Sequence, residues 1–194
     1  STLYRVGKSG KGAVVDAAIV DGSAHMMNLI MYMKGLGVFS DTRGHSMLDG
    51  PHWSRCYQCA DGQWMSVQCL EPQFYRTFLM KLGLEQDPEF RKQKDSTLWK
   101  KLGEKLEILF AEHAQQHWIQ LFENSDACVS PVLSPEHSQQ DPHMKARNIW
   151  STSEGFMQAA PAPRFVGSPS AHKQSARIPR RGQHTDEILK GLEK

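Results

Sequence analysis

No stretch of this sequence approaches the roughly 20 consecutive apolar residues of a membrane-spanning helix. Its opening, STLYRVGKSGKG, also lacks the apolar core of a secretory leader. Neither a helical span nor a membrane partner is expected. Charge of one sign is missing too: 23 Lys and Arg against 21 Asp and Glu leave a net +2, so total charge demands no nucleic acid. Any anion site must be local. Cysteine is sparse, at four residues, and without a leader the expectation is reduced thiols in a cytoplasm. An apolar share of 39% with 23% charged residues argues against disorder, and 194 residues can build one good core or two small ones.

What is there divides into segments. Tyr4, Arg5 and GKSGKG read as the end of one element and a turn, as in a chain that continues something upstream. From Ala13 the β-branched run AVVDAAIV predicts a strand buried on both faces of a parallel sheet. Asp16 or Asp21 then opens a helix, with Ile19, Met26, Ile30 and Met33 at helical spacing and Gly35 and Gly37 as stops. SDTRGHSMLDGP has the composition of a connector and marks a subdomain boundary. WSRCYQCADGQWMSVQCL predicts two strands around Asp61-Gly62, a dipeptide in which both residues tolerate positive φ.

Glu71-Pro72 opens the next helix, with Phe74, Phe78, Leu79 and Leu82 inward and Gly83 as its stop. A helical pair follows, with one apolar stripe at Leu98, Leu102, Leu106, Leu109 and Phe110 and another at Trp118, Leu121 and Phe122. ACVSPVL predicts a short strand, and Ser134-Pro135 and Asp141-Pro142 are cap-plus-proline helix starts. From Ser151 to Arg181 an extended surface strap is expected, carrying Arg164, Lys173, Arg177, Arg180 and Arg181, before a short helix near Thr185.

Few residues invite a chemical reading. Cys56 and Cys59 have the spacing of a zinc pair, yet inside an alternating strand their thiols point to opposite faces, and Cys69 and Cys128 have no partner at ligand spacing. No metal is expected. His25, His113, His117, His137 and His143 fall in no triad spacing, although His113 and His117 lie one turn apart. The cations between Arg164 and Arg181 could grip phosphate, with a solvated face the commoner outcome. Glu71 differs in kind: a carboxylate between an apolar strand and a helix N-terminus, expected to be partly desolvated and held by backbone donors, can be tuned as an acid or base. Read alone, it is more often a cap.

Together, GKGAVVDAAIVDG, MLDGPHWSRCYQCADGQWMSVQCLEPQFY, DACVSPVLSPE and GQHTDEIL resemble, in order and separation, the alpha-methylacyl-CoA racemases of the class III CoA-transferase family, in their C-terminal half. LEPQFY is the most specific part. The resemblance implies an α/β fold: an incomplete large-domain α/β portion (residues 1–40 and, with the strap, 130–194) plus a small α+β domain at 41–129 with a β-hairpin and helices. It further implies interlocked dimers and proton transfer at the α-carbon of 2-methylacyl-CoA thioesters, the thioester being substrate with no separate cofactor. Inverting that centre needs acid/base groups on two faces. In the family these are a histidine and an aspartate upstream of the GKG stretch, and Glu71 matches the glutamate that orients the histidine.

Tyr75, Asp49 and Gly50 are the candidate substrate-binding residues by the same resemblance. Departures include Gly50-Pro51-His52-Trp53 in place of a small turn and Asn148 where glycine is common. The expectation is a racemase-like chain that is inactive alone and self-associates. The alternatives are a non-catalytic dimeric acyl-CoA-binding module and a remnant of a class III CoA-transferase, whose nucleophile would also lie upstream.

Overall fold

The computed structural model describes residues 1–164 and 179–192. Two compact units divide the chain, Ser1–Val132 and Leu133–Lys194. The expected segments 1–40 and 41–129 fall in the first.

The core of the first unit is a three-stranded antiparallel sheet backed by helices. Strands β1 (Ser54–Gln58), β2 (Trp64–Gln68) and β3 (Val129–Val132) lie in the order β1-β2-β3. Tyr57 pairs with Met65 across the first ladder, and Val67 with Val129 across the second. Period-two alternation sends Tyr57, Met65 and Val67 into the core and leaves Cys56, Gln58 and Gln68 outside. The β1–β2 turn holds a correction of detail. Of Asp61 and Gly62 only Gly62 has positive φ (79°), and Cys59 N–H donates to the Gln63 carbonyl (2.8 Å). The loop is thus a longer turn ending on a left-handed glycine, not a two-residue turn. Asp61 is used otherwise: its carboxylate accepts from Gln115 N–H (3.0 Å) at the start of a helix 54 residues on.

Three helices supply the other wall: α4 (Pro72–Leu82), α5 (Trp99–Phe110) and α6 (Gln115–Phe122). Pro72 sits in the first turn of α4, where its missing N–H costs nothing, and Gly83 ends that helix at φ 69°. Their apolar stripes meet as an aromatic stack. Tyr57 lies flat on Phe110 (5.0 Å between centroids, 8°), Phe110 against Trp118 (4.7 Å), and Phe78 on Phe122 (5.9 Å). Arg55 crosses α5 at Gly103, where a Cβ would come 2.5 Å from Nη1, and reaches Glu107 (3.0 Å). A side chain at position 103 would have to displace only the flexible end of Arg55.

Residues 1–38 stand apart from this core. Helices α1 (Thr2–Ser9), α2 (Ile19–Met26) and α3 (Asn28–Gly35) bury no residue. The expected strand AVVDAAIV is corrected: residues 13–18 form no ladder, Val14 is 97% exposed, and Ile19 and Val20 already belong to α2. A strand buried on both faces needs neighbours for its N–H and C=O groups, and none of the described strands pairs with it. The single expected helix is likewise two, interrupted at Met27, although Gly37 follows as a left-handed stop (φ 71°).

In the second unit, Ser134 Oγ accepts from His137 N–H ahead of α7 (Pro135–Ser138), and the Asp141 carboxylate from Met144 N–H ahead of α8 (Pro142–Ala146). Both cap-plus-proline starts form as expected. Asn148 takes φ 49°, a left-handed site that asparagine tolerates better than most residues, which explains its place where glycine is common. The expected strap is corrected over its first part. Strands β4 (Trp150–Ser153) and β5 (Phe156–Ala159) pair antiparallel through Glu154-Gly155, both at positive φ, a turn whose twist matches a tight hairpin. Lys173 and Arg177 lie outside the described residues. Helix α9 (Thr185–Leu192) closes the chain.

Phe110→Ala removes a fully buried ring stacked on Tyr57 and tilted against Trp118 and is expected to cost about 3–5 kcal/mol by urea unfolding followed by tryptophan fluorescence. Ile19→Ala and Met26→Ala, at 87% and 82% exposed, are expected to change stability by less than about 0.5 kcal/mol.

Candidate functional site

Glu71 sits where β2 gives way to α4, in extended conformation (φ −76°, ψ 142°) as the residue before a proline must be. Its side chain is exposed and makes no capping hydrogen bond. The expectation of a partly desolvated carboxylate held by backbone donors is therefore not met: Pro72 has no N–H to offer, and strand and helix both leave the side chain on the surface. The carboxylate does act on Cys128, whose thiol is pushed up first by burial and then by the charge of Glu71. An exposed carboxylate with no partner bond can accept from, and so orient, a donor brought to it.

The backbone that presents Glu71 is fixed from beneath. The side-chain amide of Gln93 donates to the carbonyls of Cys69 (3.0 Å) and Leu70 (3.1 Å), the two residues preceding Glu71. The Gln93 carbonyl accepts both indole N–H groups, from Trp53 (3.1 Å) and Trp99 (3.0 Å). Cys69 N–H donates to the Trp53 carbonyl (3.1 Å). Four buried residues thus hold the junction without lending a side chain to its surface.

Tyr75, one turn into α4, faces inward and is 4% exposed. Its hydroxyl donates to the Phe90 carbonyl (2.7 Å) and lies 2.7 Å from His52 Nε2. Having spent its only proton on Phe90, the hydroxyl must accept from His52, which fixes the histidine as the Nε2–H tautomer. His52 is fully buried; its other nitrogen, Nδ1, has no partner among the described residues, and its backbone carbonyl accepts from Tyr57. Burial, with the Arg55 charge adding to it, lowers the imidazole from 6.5 to about 4, so it is neutral near pH 7.

Asp49 and Gly50 shape the preceding loop. The Asp49 carboxylate accepts from Gly44 N–H (2.7 Å), Ser46 N–H (3.1 Å) and Ser46 Oγ (2.7 Å). These bonds, that to Gly44 foremost, hold its pKa below the usual carboxylate range. A Cβ on Gly50 would meet the Gly44 carbonyl at 2.6 Å and Trp99 Cε3 at 2.9 Å. Gly50 therefore rests on Trp99, Trp99 bonds Gln93, and Gln93 bonds Leu70. Gly50 and the strand end before Glu71 are thus joined through two buried residues, Trp99 and Gln93, that the sequence did not single out. His52 drew notice only within the departure Gly50-Pro51-His52-Trp53, with no role attached, and Gln93 is one polar residue in KQKDS.

Beside the junction a groove of about 510 Å³ runs between α4 and the linker after it, lined by Pro72, Tyr75, Arg76, Leu79, Arg91 and Gln93 among others. The remaining candidates disperse. Cys56 is exposed in β1 and Cys59 is buried just past the end of that strand, not inside it as expected, and burial pushes Cys59 up to about 11 and Cys69 up to about 12. His113 and His117 stack at 4.0 Å, both exposed. His25, His137 and His143 are exposed. Arg164 donates to the Asn148 carbonyl (3.2 Å).

Comparison with known proteins places this geometry. Residues 1–185 match the family model described as CoA-transferase family III. The chain is 37% identical over 190 residues to human alpha-methylacyl-CoA racemase, covering 96% of the chain and 49% of that protein. The mouse racemase is 34% identical over 97% of the chain and 49% of its own length. The chain thus spans about half the length of the curated relatives it matches. Among solved structures, Rv3272 from Mycobacterium tuberculosis superposes with a TM-score of 0.66 at 16% identity, over 97% of this chain and 50% of that one. A CaiB/BaiF family protein from Brucella suis gives 0.62 at 17%, over 98% and 50%. The fold is shared, and it is a partial class III fold of helices and small antiparallel sheets.

The depressed His52 pKa carries a pH dependence. Between about 4 and 6.5 the unfolded chain binds the proton and the folded chain does not, so stability rises with pH across that window. The contribution is complete above pH 6.5 and is lost by pH 4, to a total of up to roughly 3 kcal/mol. Urea midpoints measured from pH 4 to 7 should show this slope, and His52→Gln should flatten it. Tyr75→Phe strands the His52 Nε2–H in the core and is expected to cost about 1–3 kcal/mol in the same assay at pH 7.

Proposed function

The chain belongs to CoA-transferase family III, and on that premise we propose that it is the Glu71-bearing half of an alpha-methylacyl-CoA racemase-like protein whose ligand is a 2-methylacyl-CoA thioester. The reading is carried by 34–37% identity to two racemases over nearly the whole of this chain. In it, the reaction removes the proton α to the thioester carbonyl from one face and returns one to the other. A single group tends to give the proton back to the face it came from, so two opposed acid/base groups are required. Glu71 serves as a positioning residue, accepting a hydrogen bond from the proton-carrying histidine and setting its orientation. That histidine and the opposing aspartate belong to the half of the fold outside these 194 residues. Tyr75, Asp49 and Gly50 then shape the acyl-CoA side of the site through the Trp99–Gln93 frame.

The protein alone does not racemise in this reading, and it self-associates through the outer strands β1 and β3, each of which pairs on one side only among the described strands. A second reading, a non-catalytic dimeric acyl-CoA-binding module, is favoured by one observation: the Glu71 side chain is exposed and makes no capping bond.

Incubating the purified protein with 2-methylacyl-CoA in deuterium oxide should leave the α-position unlabelled by mass spectrometry, while equilibrium dialysis detects the thioester on the protein. Deuterium at the α-carbon would overturn the claim of inactivity alone, and an absence of thioester binding would sink both readings. Sedimentation equilibrium should show a dimer or larger species; a monomer at all concentrations would refute self-association.

A further inference from the structure

The groove beside the Glu71 junction carries charge that the functional reading does not use. One wall is α4, which contributes Arg76, and the other is the linker after that helix, which contributes Arg91. Both residues are exposed, and neither forms an ion pair with any carboxylate of the described residues, whereas Arg55 is held by Glu107 and Lys105 by Glu89. The back of the groove is fixed. Tyr75 and Gln93 line it, but the tyrosine hydroxyl is committed to Phe90 and His52, and the glutamine amide to the Cys69 and Leu70 carbonyls. Pro72 and Leu79 add apolar surface. Glu85 stands at the rim, where its carboxylate accepts from Gln86 Nε2 (3.3 Å), so the lining sets two guanidinium groups against one carboxylate.

We infer that this groove is a binding site for a small phosphorylated polyol, a sugar phosphate in kind, with its phosphate held between Arg76 and Arg91. A guanidinium presents a fork of N–H donors that matches an oxyanion. A phosphate monoester has enough terminal oxygens to take one fork from each wall, where a single carboxylate is filled by one. Glu85 decides the rest of the ligand. An ionised carboxylate only accepts hydrogen bonds, so next to the phosphate it favours a body bearing hydroxyl donors and disfavours a second phosphate by like-charge repulsion. Leu79 and Pro72 suit the C–H face of such a body. Size points the same way: about 510 Å³ holds roughly 17 water-sized groups at about 30 Å³ each, the span of a pentose phosphate and far short of a whole CoA thioester. The site is thus separate from the thioester and does not rest on the racemase reading.

Titration calorimetry of the protein at near-physiological salt should show saturable one-to-one binding of ribose 5-phosphate, weaker binding of inorganic phosphate and none of ribose. Arg76→Gln and Arg91→Gln should each weaken the ester at least about tenfold, the loss expected when a charge-assisted fork is removed. Both residues are exposed, so the unfolding midpoints should not move. Lys92→Gln, at an exposed cation outside the lining, should bind as the parent does. Glu85→Ala should narrow the gap between ester and inorganic phosphate, because it removes the hydroxyl acceptor and the repulsion together. Four results would each overturn the proposal: no saturable binding of the ester up to about 10 mM, ribose binding as well as its phosphate, full binding by the Arg76→Gln, Arg91→Gln double variant, or an equal loss in Lys92→Gln. The double variant should still retain any thioester that the parent binds in equilibrium dialysis; losing both ligands together would merge the two sites and overturn their separation. A parent protein that binds ribose 5-phosphate but no thioester would sink the functional reading alone.

Discussion

The position of Glu71 depends on one carbonyl and one amide. Gln93 accepts two indole N–H groups on its backbone oxygen and donates twice from its side chain to the strand end before Glu71. Three of these bonds are buried and the fourth, to the Leu70 carbonyl, is half-buried; a buried polar group left without a partner is costly, so the bonds hold one another in place. A peptide segment that ends a strand and starts a helix at a proline has few bonds of its own to fix it. Here the fixing comes from a linker residue 22 positions further along the chain.

The same frame reaches the other residues that the family likeness makes interesting. Gly50 must be small because Trp99 and the Gly44 carbonyl leave no room for a Cβ, and Trp99 is oriented by its bond to Gln93. His52 and Tyr75 lie in the same interior, tied by a bond whose direction follows from the Phe90 carbonyl taking the tyrosine proton. The interior thus acts as a rigid mount, and the surface it carries is a carboxylate and a groove. Nothing in that arrangement requires Glu71 itself to be buried, which is why the structure leaves it in solvent.

The legible parts of the fold were those set by neighbours in sequence. The hairpin around Gly62, the start of α4 at Pro72, its stop at Gly83 and the caps at Ser134 and Asp141 follow from φ preferences and from side chains reaching N–H groups two or three residues away. The inward faces of α5 and α6 followed from helical spacing. Where expectation failed, a distant partner was decisive. AVVDAAIV has the composition of a buried strand, but a strand exists only with neighbours to bond. SEGFMQ looked like part of a loose strap, but two positive-φ residues in succession fold it into a hairpin.

The candidate site divides in the same way. Sequence by itself determined the family likeness and the place of Glu71 between strand and helix, because motif and proline chemistry are properties of adjacent residues. Only tertiary structure decided that His52 is a neutral, buried partner of Tyr75, that Gln93 anchors the junction, and that the apolar run near the start pairs with none of the described strands. Those outcomes depend on which groups meet across tens of residues, and burial, not residue type, sets whether a histidine holds a proton or a valine strand finds its ladder.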